Sequence, residues 1–74
     1  MLSDQATARR VSKILLDVGS RLEKSVALVE RTAPREEFER YRLAVAKVMG
    51  ELLLEALNPI FADHPVLRPE ELDP

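Results

Sequence analysis

Apolar residues recur at helical spacing along the first part of the chain, with polar and charged residues between them. Steps of three or four residues separate them, which is the spacing of one face of an α-helix. Ser3 or Asp4 stands just before this stripe, and either side chain can accept a hydrogen bond from a free N–H group of the first turn. The pattern predicts a helix over residues 4–31 with an inner face of Ala8, Val11, Leu15, Val18, Leu22, Val26 and Val29.

A second stripe of the same spacing begins after Pro34. Proline suits the first position of a helix because the N–H group there has no partner anyway. The spacing predicts a second helix over residues 34–57. Because the connection is so short, we expect the two helices to run antiparallel. The inner face of the second helix is expected to carry Phe38, Tyr41, Val45, Val48 and Leu52.

The end of the second helix depends on Pro59. Proline lacks a backbone N–H group and biases the residue before it away from helical dihedral angles. The second helix is therefore expected either to stop near Leu57 or to kink and continue to residue 62. Residues 63–74 then form a proline-rich tail, in which Pro69–Leu72 has the proline and acidic residues that begin a helical turn.

The second helix carries more apolar residues than one neighbouring helix can cover. Leu52, Leu53 and Leu54 point about 100° apart, so three sides of the helix are apolar there. Leaving several such side chains in water would forgo about 1.5–3 kcal/mol for each. A second copy of the chain is the simplest cover, and it would make an all-α four-helix bundle from two hairpins. The expected dimer interface comprises Val45, Val48, Met49, Leu52, Leu53, Ala56, Leu57 and Ile60.

Small residues within both helices indicate that helices approach each other closely. Ser12 and Gly19 lie seven residues apart on one flank of the first helix. Ala46 and Gly50 make a four-residue step on the second helix. A glycine inside a helix costs about 1 kcal/mol relative to alanine, so close packing is the favoured explanation.

Length and composition restrict the function more than they define it. The chain has 74 residues, a net charge of −2 and no cysteine or tryptophan. One small helical domain is expected over residues 1–74, without disulfides, Cys-bound zinc or a thiol nucleophile. Met1 leads directly into polar residues, and no apolar run reaches the length of a membrane span, so a soluble cytoplasmic protein with no membrane partner is expected.

Three groups of side chains were considered for chemistry, and none predicts a catalytic, cofactor or metal site. The Asp63-His64 pair lacks further ligands at helical spacing, so a structural turn is the favoured interpretation. Glu51 and Glu55 share a face, but a solvated rim is favoured over an acid–base pair. The third group is a basic cluster that is a candidate anion contact, although plain solubility is favoured because three charges provide few phosphate contacts. The cluster comprises Arg9, Arg10 and Lys13.

The sequence favours a non-enzymatic homodimer that acts as a protein–protein interaction or regulatory module. Its expected partners are a second copy of itself and another protein, and the balanced charge argues against nucleic acid. Two alternatives stay open. One is a nucleic-acid-associated regulator that uses the basic cluster, and the other is a small dimeric helical enzyme with a pocket between its chains.

Overall fold

The computed structural model describes residues 1–69, and within that range it contains helices and no strand. Helix α1 spans Gln5–Thr32 and helix α2 spans Arg35–Glu51. A π-helical segment, Leu52–Leu57, joins α2 to helix α3, Asn58–Asp63. A short 3₁₀ turn, Pro65–Leu67, follows. Residues 70–74 lie outside the described part of the chain, and so does most of the predicted last turn at Pro69–Leu72.

Helix α1 begins at an aspartate cap. The Asp4 carboxylate accepts hydrogen bonds from the Thr7 backbone N–H at 2.8 Å and from the Thr7 hydroxyl at 2.6 Å. The Thr7 hydroxyl, followed by its backbone N–H, holds the pKa of Asp4 below its usual value because both bonds favour the charged form. The cap prediction is therefore confirmed for Asp4. The chain leaves α1 at Ala33, which has extended backbone angles.

The two long helices pack antiparallel, as predicted. The hydroxyl oxygens of Ser25 and Tyr41 lie 2.7 Å apart near the hairpin turn. In the middle of the hairpin, Gly19 faces Met49. At the open end, Ala8 joins a core cluster with Ile60. We call residues 35–63 the second arm. In these three contacts the residue numbers on α1 decrease as those on the second arm increase, which is the antiparallel arrangement.

The inner face of α1 differs from the prediction by about one residue. Ser12 and Gly19 are buried, whereas Val18 is 40% exposed. The prediction of Val18 on this face was wrong because small residues admit the side chains of α2 more closely than valines would. Gly19 lies against the ends of Met49 and Leu52. On α2, the prediction for Val48 was also wrong, since its neighbour Met49 packs inward instead.

The second arm continues through Pro59 to Asp63, so the helix does not stop near Leu57. The turn before the proline is widened. The Asn58 N–H bonds to the Leu53 carbonyl five residues earlier, the hydrogen-bond step of a π-helix. A regular helix would crowd the Pro59 ring against the carbonyl four residues before it. The wider turn falls on the residues where that clash would arise.

The π-helical segment also changes which side chains face α1. A regular continuation of the Val45 and Leu52 face would bring Ala56 and Asp63 inward. One extra residue in the turn brings Leu57, Ile60, Phe61 and His64 inward instead, and all four are buried. Burial of such apolar side chains is worth about 1.5–3 kcal/mol each, which favours the widened turn.

The core lies at the open end of the hairpin. Ala8, Leu57, Ile60 and Phe61 form its buried centre. The packing around this centre comes from six half-buried residues, one of them before α1 and one in the 3₁₀ turn: Leu2, Val11, Leu15, Leu16, Leu52 and Leu67. The N-terminal segment and the 3₁₀ turn therefore close this end of the molecule.

Candidate interaction surface

An open apolar groove runs between α1 and the second arm on one side of the hairpin. Its volume is about 420 Å³. Glu23 is the one titratable residue among those that line it, and Ser20 is the other polar one. The lining residues are Leu15, Leu16, Gly19, Ser20, Glu23, Met49, Gly50, Leu52, Leu53 and Leu57. The groove thus offers apolar contacts and little machinery for chemistry.

The two glycines in this groove occupy different environments. A Cβ atom on Gly19 would make ordinary contacts, 3.4 Å from Met49 Cε and 3.7 Å from Leu52 Cδ2, so this glycine packs directly against side chains of the same chain. A Cβ atom on Gly50 would meet nothing within 4 Å among the described residues. Glycine inside a helix costs about 1 kcal/mol relative to alanine. Packing within one chain gives no reason for that cost at Gly50.

Gly50 lies in a stripe of apolar residues on the outward side of α2. The spacing of three or four residues places these side chains on one face of the helix. Leu43 is 54% exposed, Leu53 is 38% exposed and Leu54 is 63% exposed. We call the following set the α2 stripe: Leu43, Ala46, Gly50, Leu53 and Leu54. The stripe borders the groove through Gly50 and Leu53.

The eight residues predicted for a dimer interface divide into three groups. Val45, Leu57 and Ile60 are buried within the single chain, and Ile60 at 1% exposure has no surface left for a second chain. Met49, Leu52 and Leu53 line the groove, which Leu57 of the buried group also borders. Val48 is 52% exposed but lies outside the groove, and Ala56 is half-buried.

A second exposed apolar area lies on the opposite flank of the hairpin. Val48 stands two residues before Gly50, and at about 100° per residue it points about 200° away from it. Ser25 and Tyr41 mark this flank, because their hydroxyl contact joins the two helices there. On α1, Ile14 and Val18 extend the same flank and are exposed. The hairpin therefore presents apolar side chains on both of its broad sides.

The basic cluster is divided by the fold. Arg9 and Lys13 line a second cleft of about 410 Å³ together with Ser12, Leu16 and the turn residues Val66, Leu67 and Pro69. Arg10 does not line this cleft. No ion pair within residues 1–69 includes Arg9, Arg10 or Lys13. By contrast, ion pairs with carboxylates within 3.5 Å are made, for example, by Arg21, Arg35, Arg40 and Arg42.

Asp63 and His64 hold the N-terminal segment. The Met1 amino group donates to the Asp63 carboxylate, and this bond, followed by the charge of the amino group, lowers the pKa of Asp63. His64 is buried, and its Nε2 lies 2.6 Å from the Leu2 carbonyl oxygen. Both side chains therefore make structural contacts in this fold, with Asp63 at the end of α3 and not in the predicted turn.

The two glutamates near the end of α2 lie at the surface. Glu51 and Glu55 are both exposed on the arm. Over residues 1–69, no three His, Cys, Asp or Glu side chains are grouped so that they could hold a metal ion. In the same part of the chain, no helix combines the length and apolarity required to cross a bilayer.

Comparison of the chain with protein-family models, with curated proteins and with solved structures found no match. The surfaces described above are therefore the basis for the proposed function.

Proposed function

We propose that the protein is a non-enzymatic interaction module that works as a homodimer, in which two hairpins pack groove to groove as a four-helix bundle. The observation that carries this proposal is the apolar groove with its bordering α2 stripe, where Leu54 is 63% exposed and Leu43 is 54% exposed. Contiguous apolar surface on a small soluble chain marks an interaction site. A second copy of the chain can cover this groove without any other protein.

The size of the hairpin suits this arrangement. Its two longer dimensions are 45 and 21 Å, which gives a broad side of about 900 Å². A stable interface takes about 800 Å² from each partner. One broad side packed on its equivalent would therefore reach the area that a specific dimer needs.

The opposite flank supplies the second half of the proposed role. With the groove side covered by a second copy, Ile14, Val18 and Val48 would stay on the outside of the bundle. Exposed apolar side chains on a helical pair suit the apolar face of a helix from another protein. Such a dimer would present this flank twice, which would suit an adaptor or a regulatory subunit.

The experiment that tests the dimer compares two substitutions of exposed apolar residues in the second arm. Sedimentation equilibrium would measure the dimer dissociation constant for the wild type, Leu54→Glu and Val48→Glu. We expect Leu54→Glu to weaken the dimer by at least about a hundredfold, because it places a charge within the apolar contact. Val48→Glu carries the same charge change on the other flank and is expected to leave the constant within about threefold.

Two results would contradict the proposal in different ways. A wild-type chain that stays monomeric at high micromolar concentration would remove the dimer altogether. Dissociation by Val48→Glu, with Leu54→Glu unaffected, would keep a dimer but assign it to the opposite flank. Circular dichroism of each variant would show that it is still folded.

A second candidate function rests on the cleft that contains Arg9 and Lys13. These two cations have no carboxylate partner within residues 1–69, so they are available to an anionic group such as a nucleic-acid phosphate. Under this candidate, Arg9→Gln combined with Lys13→Gln abolishes salt-dependent binding of a labelled DNA or RNA oligonucleotide. Lys24→Gln combined with Arg31→Gln is the control with the same change in net charge. Lack of wild-type binding at low salt would eliminate this candidate.

A further inference from the structure

We infer that the two-fold axis of the proposed dimer passes beside Gly50, so that the second arms of the two copies cross antiparallel with Gly50 facing Gly50. This inference rests on the proposed dimer and adds its geometry. Its starting point is the unexplained glycine, because a Cβ atom at Gly50 would meet nothing within 4 Å in the described part of the same chain. Glycine in a helix interior is well suited to positions where another backbone comes close.

The α2 stripe is complementary to itself in this orientation. When two identical helices cross antiparallel about residue 50, residues equally far from it on either side face each other. Ala46 of one copy then lies opposite Leu54 of the other, a small side chain against a large one. The pairing of Gly50 with Gly50 at the centre lets the helices approach, and the leucines fill the space on either side.

Helix α1 of each hairpin agrees with the same axis. Ser20 lies across the groove from Gly50, lines the same groove and is exposed. It is also small, so α1 presents no large side chain at the level where the arms would cross. Close approach of two hairpins is therefore sterically open at this one level, between Leu16 on one side and Glu23 on the other.

Cysteine cross-linking tests the position of the axis directly. The chain has no cysteine, so Gly50→Cys introduces a single thiol. A disulfide needs Cα atoms about 4.4–6.8 Å apart, which a residue beside a two-fold axis satisfies with its own copy. We expect mild oxidation of Gly50→Cys to give covalent dimers at protein concentrations where wild type is dimeric. Ala44→Cys, an exposed position on the opposite flank of α2, is the control and is expected to stay uncross-linked.

An alanine variant covers the case in which a cysteine at the crossing prevents association. Gly50→Ala adds one methyl group that has free space in the single chain and removes a helix-interior glycine. We therefore expect a higher unfolding temperature at dilution where the chain is monomeric, together with about a tenfold weaker dimer. A close helix crossing at Gly50 predicts this combination, in which the same substitution stabilises the monomer and weakens the dimer.

The outcomes separate this inference from the proposed function. A wild-type dimer that shows neither Gly50→Cys cross-linking nor weakening by Gly50→Ala would overturn the crossing at Gly50 and keep the dimer. Equal cross-linking of Gly50→Cys and Ala44→Cys would also overturn it, because random collisions would then explain both. A monomeric wild type would overturn the proposed function and this inference together.

Discussion

His64 Nε2 lies 2.6 Å from the carbonyl oxygen of Leu2, a contact between residues separated by 62 positions in the chain. Because a carbonyl oxygen only accepts, the hydrogen of this bond must be on Nε2. The buried imidazole thus holds the N-terminal segment over the core, where Leu2 packs against the cluster that contains Ile60 and Phe61.

Replacing His64 by phenylalanine is expected to destabilise the fold by about 1–3 kcal/mol, because the Leu2 carbonyl loses its donor in a partly buried place. Urea unfolding at neutral pH and fixed protein concentration would measure the loss. His64→Gln is the matched control, since its amide nitrogen can reach the position of Nε2 and donate the same bond. Equal losses in the two variants would show that ring packing, and not the hydrogen bond, explains the burial.

The contact between the hydroxyl groups of Ser25 and Tyr41 is expected to couple α1 to α2 energetically. Ser25 donates its one hydrogen to the Leu22 carbonyl at 2.6 Å, so Tyr41 is the donor in the 2.7 Å contact with Ser25. A double-mutant cycle with Tyr41→Phe and Ser25→Ala should give a coupling free energy of about 0.5–1.5 kcal/mol. Additive effects of the two substitutions would contradict a direct bond between them.

The sequence was sufficient for the helices because their signals are local. Asp4 as a cap, Pro34 after the first helix and the apolar spacing each act within one or two turns. These signals place the start and end of α1 within one residue of the structure. The all-helical hairpin follows from them, since a short connection leaves two long helices little choice of direction.

The faces of those helices could not be predicted in the same way. The stripe with Val11 and Val18 and the stripe with Ser12 and Gly19 have nearly the same period in the sequence. The choice between them depends on Met49 and Leu52, which pack against Gly19 from thirty or more residues away along the chain. Likewise, Pro59 indicates an irregular turn in its neighbourhood, but the residues of Leu52–Leu57 do not show which side chains that turn brings inward, because this depends on the core formed with Ala8.

The candidate surface was predictable in part. The sequence indicated Leu53 and Met49, and both line the groove, but it also assigned Ile60 to the interface, and Ile60 is fully buried in its own chain. The regular spacing of Leu43, Ala46, Gly50 and Leu53 was available in the sequence as a signal. Only the packing of α1 on the other side of α2 shows that this stripe faces outward.

The aspartate cap of α1 gives a pH dependence with a defined sign. The folded-state pKa of Asp4 is lowered, chiefly by the Thr7 hydroxyl and then by the Thr7 N–H, so the ionised carboxylate stabilises the fold. This contribution is complete above the unfolded pKa of about 3.9 and is lost as the pH falls through the lower, folded value.

Asp4→Asn keeps a capping side chain but cannot ionise, so it isolates this contribution. The stability advantage of the wild type over Asp4→Asn should be larger at about pH 6 than at about pH 2. Thermal unfolding of both proteins across that range would measure it. The pKa of Asp63 is also lowered, but that group is common to both proteins and cancels in the difference. An advantage that stays constant with pH would contradict the predicted role of the Asp4 charge.

Deletion of one residue tests the explanation given for the π-helical segment. If Leu52–Leu57 contains one residue more than a regular helix needs, removing the exposed Glu55 should convert it to an α-helix and leave Leu57 and Ile60 facing Ala8. The protein should then keep its helical circular dichroism and cooperative unfolding. Its loss of stability should stay below about 3 kcal/mol, the cost of fitting Pro59 into a regular helix.

Removing Ala44, an exposed residue of the regular helix α2, is the matched control. That deletion turns Phe38 and Tyr41 by about 100° relative to Val45. The residues before and after the deletion then cannot face α1 at the same time. Phe38 would lose its buried position, and we expect unfolding or a loss larger than for the Glu55 deletion. Equal damage by the two deletions would show that the π-helical segment does not contain an additional residue that can be removed. The clash at Pro59 alone would then have to explain the widened turn.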